Sequence, residues 1–405
     1  MSLRVLACAC IALLLTACGG GGGGGGGNNH DIEVAIDMTA ADFNHDGHVD
    51  VALPIFRGVG KAGSVAVFLH APMAGKGYQP RVDYPTAQTL DSITSADLNG
   101  DGLPDIVATT AGVSSNDVFV LLSQTGSAGT FAAAAALSAD FVNRAAIADV
   151  NGDGRPDLVI AAHTLMLAPQ SAGTPGAFDA PATLYTNPSG RGLGRLAVGD
   201  LNGDGMVDLA TDDDAGVTVL YLTPGANPPA VASSLGVFTN TRVGELCPLV
   251  ITDADGDGRN DLLLADPDGN SLVVLRQNPA AAGQFLPAVR FGSLPVGEGF
   301  GIAVGDLNAD RHPDVVTAGS DGIRVFLQDP AVAGNYLAST HYSAPMGASG
   351  VAIADVDEDG RQDIITDTGR SCSQNSDGLC QRTPPGVLYQ DPANPGHFLA
   401  LEDLK

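Results

Sequence analysis

Seven short stretches concentrate the residues that can do chemistry. Each follows D-x-[DN]-x-D-x-x-x-D, with Gly at position 6 in six of the seven. The first carries Asp42, Asn44, Asp46 and Asp50 at positions 1, 3, 5 and 9. Asp97, Asn99, Asp101 and Asp105 form the second, and Asp149, Asn151, Asp153 and Asp157 the third. Asp200, Asn202, Asp204 and Asp208 follow, then Asp253, Asp255, Asp257 and Asp261. Asp306, Asn308, Asp310 and Asp314 make the sixth, and Asp355, Asp357, Asp359 and Asp363 the seventh. Alternate residues of a tight loop can turn their oxygens inward, and a hard cation of calcium's size takes roughly six to eight of them. Position 7 is His48, Leu103, Arg155, Met206, Arg259, His312 or Arg361. Such variety suits a ligand given by the backbone carbonyl, and a position-6 Gly allows the sharp turn. A set of oxygens with no thiolate and no required imidazole points to Ca²⁺, up to one per loop, over Zn²⁺ or Cu²⁺.

The plain alternative is that Asp–Gly and Asn–Gly pairs merely make β-turns. A hairpin turn needs no Asp at positions 1, 5 and 9 in seven copies. Positions 1, 3, 5 and 9 of these loops hold 23 of the 46 acidic residues, and crowded like charges repel unless a cation joins them. The sixth loop departs from the rest, with Ala309 at position 4 and Arg311 at position 6. Arg tolerates φ > 0 poorly, which predicts a weaker or distorted loop. An EF-hand is excluded, because that loop ends in Glu at position 12 and lies between helices. Here position 12 is Leu53, Ala108, Ile160, Thr211, Leu264, Thr317 or Thr366.

The elements that position the loops repeat with them, every 49 to 55 residues. A small residue or Thr precedes the first Asp (Ala41, Ala96, Ala148, Gly199, Thr252, Gly305, Ala354), and an aliphatic follows the last (Val51, Ile106, Leu158, Leu209, Leu262, Val315, Ile364). A strand therefore enters each loop and another leaves it. A third apolar run follows, such as Ser64–Leu69 or Gly322–Leu327, then a Gly/Pro-rich turn often ending in an aromatic: Phe131, Phe178, Phe285, Tyr336, Phe398. A fourth short strand after it completes the unit. Four strands repeated seven times predict an all-β fold: a seven-bladed β-propeller with four-stranded blades and the acidic loops in hairpins. A linear solenoid has shorter coils, and separate four-stranded domains could not bury both faces. The run Ala132–Ala136 locally prefers helix but falls where other units place an outer strand. The array spans residues 31–405 as one domain.

The repeated acidic loop between strands, with a V-x-L-like strand and a G-x-F turn after it, resembles the FG-GAP/VCBS repeat family, closer to its bacterial VCBS type. That family includes the integrin α-subunit N-terminal propeller and many secreted bacterial proteins. The resemblance implies a seven-bladed propeller with calcium in the hairpin loops, bound at positions 1, 3, 5, 7 and 9.

The first residues read as an address. Arg4 supplies a positive n-region, Val5 to Leu15 an apolar stretch too short to span a bilayer, and Leu15–Thr16–Ala17–Cys18 resembles a bacterial lipobox. The expectation is a signal peptide over 1–17, a lipidated Cys18, and a flexible tether over 18–30 built on Gly19 to Gly27. The body is then exported and anchored in the envelope, at the outer membrane by the residue after Cys18. In an oxidising compartment Cys372 and Cys380 are expected to pair across a turn-rich loop, with Cys247 a buried free thiol.

Formal net charge is −27, and such a field repels nucleic acid. Gly58–Gly63 matches G-x-G-x-x-G but precedes a strand rather than a helix, so it reads as a hairpin loop. No G-x-S-x-G, H-E-x-x-H or Walker loop occurs. The favoured function is a binding or adhesion scaffold for an envelope or extracellular protein. A carbohydrate-binding propeller is the alternative, weakened by the absence of Trp. A propeller-type lyase or hydrolase ranks third, since no unique constellation stands apart from the repeats.

Overall fold

A computed structural model describes residues 34–35, 37–56, 62–71, 77–110, 117–127, 129–139, 142–190, 192–213, 216–223, 229–239, 248–266, 270–292, 294, 299–344, 347–367 and 385–404. The signal peptide, lipobox, Cys18 and tether, as well as Cys247, Cys372 and Cys380, lie outside the described residues.

The described residues form seven antiparallel sheets and no helix. The first strands of the sheets are Thr39–Ala41, Leu90–Ala96, Arg144–Ala148, Leu196–Gly199, Leu249–Thr252, Gly299–Gly305 and Val351–Ala354. Each lies beside the next around a ring, and Val351–Ala354 lies beside Thr39–Ala41. Each pairs with a second strand opening on the position-9 Asp (Asp50–Phe56, Asp105–Thr110, Asp157–Ala161, Asp208–Asp213, Asp261–Asp266, Asp314–Gly319, Asp363–Thr366). A third strand and an outer fourth follow in every sheet, so the chain is a seven-bladed β-propeller. The alanine run ends in one of these outer strands, Ala135–Ser138.

Burial follows position in the blade. Where the burial of a second strand is described throughout, every residue is buried, whereas outer strands such as Ala135–Ser138 are largely exposed. Successive side chains of a strand point to opposite faces. Val51, Leu53 and Ile55 face the last blade, while Ala52 faces the second. Because both faces are covered, the second strands read as near-continuous apolar runs. Each pair of neighbouring blades shares one apolar core. The small residue ending the first strand reflects crowding at the axis: a Cβ on Gly199 would sit 2.7 Å from Ile251 Cγ2 of the next blade.

Each blade comes from one continuous stretch of chain. Among the described residues no strand crosses from the C-terminal blade into the N-terminal one; Val34–Ala35 extends the first blade by pairing with Phe56 and Ile55. Side chains pack across this seam, with Met38, Leu53 and Ile55 against Ala354, Val356 and Tyr389.

Candidate metal loops and the opposite face

Alternating hairpins sort the connections onto two faces. The acidic loops and the turns after the third strands share one face; the remaining connections lie on the other. In blade 1 the second strand ends at Phe56 and the third, which pairs with it antiparallel, opens at Gly63. Of the Gly58–Gly63 match, residues 58–61 lie outside the described residues.

All seven acidic loops share one internal hydrogen-bond pattern. The position-6 N–H donates to Oδ2 of the position-1 Asp at 2.7–2.9 Å. The position-7 N–H donates to Oδ1 of the position-5 Asp at 2.8–3.0 Å. In six loops the position-5 N–H donates to Oδ1 at position 3. These bonds draw the oxygens toward the loop interior. Ligand atoms of Asp253, Asp255 and Asp261 lie within 4.8 Å of one another, as do those of Asp355, Asp357 and Asp359. The donors are all oxygens, and the set fits a calcium-sized cation.

Backbone at positions 4 and 6 is left-handed throughout. Glycine fills most of these places, but His45 (φ 58°), Ala309 (φ 61°), Glu358 (φ 60°) and Arg311 (φ 70°) do not. The distortion expected of the sixth loop is not found. Arg311 takes the glycine conformation and its N–H reaches Asp306 at 2.8 Å, like its counterparts. The departure is stored as backbone strain, of order 1 kcal/mol or more per residue.

Position 9 carries a second duty. Its Asp is fully or almost fully buried in every loop. Oδ2 accepts the N–H of loop position 2 (Phe43, Leu98, Val150, Leu201, Ala254, Leu307, Val356) at 2.9–3.2 Å. Oδ1 accepts the N–H of the second residue after the third strand (His70, Ser123, Gln170, Gln277, Gln328, Gln390) or, in the fourth blade, of its last residue Leu222, at 2.7–3.2 Å. The carboxylate thus ties loop, second strand and third strand together while retaining lone pairs for a cation. Burial raises Asp50 and Asp261 to about 7, and Asp105, Asp208, Asp314 and Asp363 to about 6, with backbone donors opposing and neighbouring loop carboxylates adding. A bound cation would reverse that push.

Two features went unread in the sequence. The side chain at position 7 is not idle: Arg155, Arg259 and Arg361 each pair with the position-5 Asp of their own loop. In four blades the second residue after the third strand latches neighbouring blades. Gln170, Gln277, Gln328 and Gln390 each donate Nε2 to the position-2 carbonyl of the preceding blade (Leu98, Leu201, Ala254, Leu307) and to the position-8 carbonyl of their own. The recurring Gln at equivalent places, and an apolar residue at position 2 of all seven loops, were the available signals.

On the axis, the first strands line a cavity of about 350 Å³. Asp37, Arg144 and Arg195 line it where those strands begin, at the end away from the acidic loops. Arg144 bridges Asp37 at 2.9 Å and Ser92 Oγ at 3.1 Å. Arg195 Nε is buried without a hydrogen-bond partner. Desolvation and the nearby Arg144 lower the Arg195 guanidinium to about 10, so it stays charged at neutral pH.

Ring, blades and acidic loops define a β-propeller built from acidic-loop repeats. The FG-GAP-like repeat matches residues 42–108, 97–160, 253–317 and 306–366, more than half of the chain, and the protein belongs to that family. No curated protein matches it by sequence. Among solved structures, an Agrocybe aegerita lectin that recognises non-reducing terminal N-acetylglucosamine is similar at 17% identity, with 91% of this chain and 94% of that chain covered and a TM-score of 0.57. A Lactobacillus plantarum protein is similar at 12% identity, with 88% and 95% covered and a TM-score of 0.52. BBS1N, solved in complex with ARL6DN, is similar at 11% identity, with 84% and 92% covered and a TM-score of 0.52. At these identities the likeness is one of fold.

Proposed function

We propose that this protein is a calcium-stabilised binding scaffold, exported and held at the cell envelope by a lipid on Cys18, that engages a protein partner through the face opposite the acidic loops. One observation carries this reading: one face repeats a single hydrogen-bonded loop seven times, whereas the axial cavity at the other end is lined by Asp37, Arg144 and Arg195. The repeated face suits structural Ca²⁺, held by side chains at positions 1, 3, 5 and 9 and the carbonyl at position 7. In that cavity Arg195, whose Nε has no hydrogen-bond partner, stands beside the Arg144–Asp37 pair, which suits an acidic group of a partner.

Pull-down from envelope extracts with wild type and Arg195→Gln, run beside a glycan array, tests the partner. A protein captured by wild type and lost with Arg195→Gln supports the scaffold. Glycan binding without a captured protein turns the assignment to a lectin, the reading favoured by the similar lectin fold and weakened by the lack of Trp. Cys18→Ser tests the anchor: the variant leaves the membrane fraction, and sedimentation like wild type refutes the lipid.

A further inference from the structure

The junction between the last and first blades departs from the usual repeat residue at His70 and Glu358, and both meet the variable position-7 residue His48. His70 stands where four other blades carry the Gln latch. Glu358 occupies position 4 of the seventh loop with φ 60°, a conformation that glycine fills in four other loops. His48 is position 7 of the first loop. His48 Nδ1 lies 2.8 Å from Glu358 Oε1, and His70 Nε2 lies 4.0 Å from the same oxygen. The two imidazole rings are 4.8 Å apart between centroids, and ligand atoms of the three residues all lie within 4.8 Å of one another.

His70 is the decisive residue. It is 1% exposed, yet neither ring nitrogen has a hydrogen-bond partner. Leaving a buried polar atom unpaired costs about 1–3 kcal/mol. The latch glutamines at the equivalent place avoid that cost by donating to two carbonyls, as Gln328 does to Ala254 and Pro313. His70 is buried against Tyr78 on one side, at 5.5 Å between centroids, and turns its ring toward His48 and Glu358.

We infer that His48, His70 and Glu358 bind one divalent transition-metal ion, Zn²⁺ by donor set, across the seam of the ring. Two imidazoles and a carboxylate are borderline ligands for such an ion. With bonds of about 2.0–2.1 Å, ligand atoms at a tetrahedral centre sit roughly 3.3 Å apart. The 2.8 and 4.0 Å separations bracket that value, so side-chain shifts of under about 1 Å complete the site. Glu358 is half-exposed, which leaves an entry path and a place for water as the fourth ligand. The ion would join two blades that no described strand connects, and it uses none of the carboxylates at loop positions 1, 3, 5 and 9. His48 offers its carbonyl to the first loop and its ring to the seam.

The test is a titration of the chelator-stripped, thiol-alkylated full chain with ZnCl₂, run with and without saturating Ca²⁺, so that failure of the calcium reading does not decide it. Wild type binds one tight Zn²⁺ per chain, with a rise in Tm, and Co²⁺ in its place shows visible ligand-field bands. His70→Gln installs the latch of the other blades and Glu358→Gly installs the usual loop residue, so both variants fold. Each weakens Zn²⁺ binding by more than the roughly tenfold to hundredfold lost with an outer-shell partner, while His397→Gln changes nothing. Absence of one tight Zn²⁺ in wild type, or its retention in either seam variant, overturns the assignment.

Discussion

The junction between blades 5 and 6 and the junction between blades 7 and 1 are built on the same backbone device and finished differently. In the first, Asp314 accepts the N–H groups of Leu307 and Gln328, and Gln328 reaches across to the Ala254 carbonyl of blade 5. In the second, Asp50 accepts the N–H groups of Phe43 and His70, but the His70 ring makes no such bond and faces His48 and Glu358. Blades 5 and 6 are joined by the chain itself, so a neutral hydrogen-bonded latch is enough to fix their angle. Blades 7 and 1 are not consecutive in the chain and share no strand among the described residues. Holding them together carries a loop-closure cost that grows with the length of chain between them. The difference teaches that the repeat supplies the blade, while its exceptions supply the closure.

On the proposed calcium reading, chelation has the largest expected effect, because every blade carries one acidic loop. A single site at hundredfold excess over its Kd adds about 2.7 kcal/mol. Loss of several sites lowers Tm by on the order of 10 °C. Differential scanning calorimetry with EDTA, followed by Ca²⁺ or Mg²⁺ add-back, measures this, and Ca²⁺ restores more because Mg²⁺ demands a rigid octahedron. An unchanged melt of metal-free protein ends the calcium reading and leaves the propeller intact.

Next come the position-9 carboxylates. Asp314→Ala strips the acceptor from two buried N–H groups and costs about 2–5 kcal/mol, even without metal. Asp101→Ala, in the open part of its loop, costs less in EDTA and more in Ca²⁺, and Leu103→Ala costs least of all. Denaturant melts in both buffers separate the two kinds of Asp. Equal losses for Asp314→Ala and Asp101→Ala in EDTA would remove the tie assigned to position 9.

The latch itself sharpens the comparison. Gln328→Ala costs about 1–3 kcal/mol by orphaning buried carbonyls, in any buffer. His70→Ala without transition metal costs less, because its nitrogens have no partners to lose, and becomes the more harmful change once Zn²⁺ is present. Urea melts with and without Zn²⁺ show whether the order inverts; no inversion means the seam is an ordinary junction.

The smallest effect is in the sixth loop. Arg311→Gly relieves a left-handed backbone and stabilises by about 1 kcal/mol, which raises Tm by a few degrees. A fall in Tm instead would show that the Arg311 side chain makes a stabilising contact that outweighs the strain.

Much of this architecture was written in local spacing. Period, blade number, strand order and the converging oxygens at positions 1, 3 and 5 all follow from residues within one unit, where backbone geometry alone decides which side chains can meet. Of the alanine run, Ala135 and Ala136 took the outer-strand place expected of it, while Ala132–Ala134 precede the strand and form no helix. Position 9 was read only in part. Its partners at Gln328 and Leu307 stand 14 and 7 residues away, and only the folded blade brings both backbone donors to one carboxylate. Nothing in local spacing could place Asp37 against Arg144, 107 residues apart, or His48 and His70 beside Glu358 at the opposite end of the chain. Those meetings depend on a ring that closes on itself. Closure is a property of all seven blades packed together, since the angle between neighbours is set by the cores they share and its accumulated error vanishes only when the last blade reaches the first.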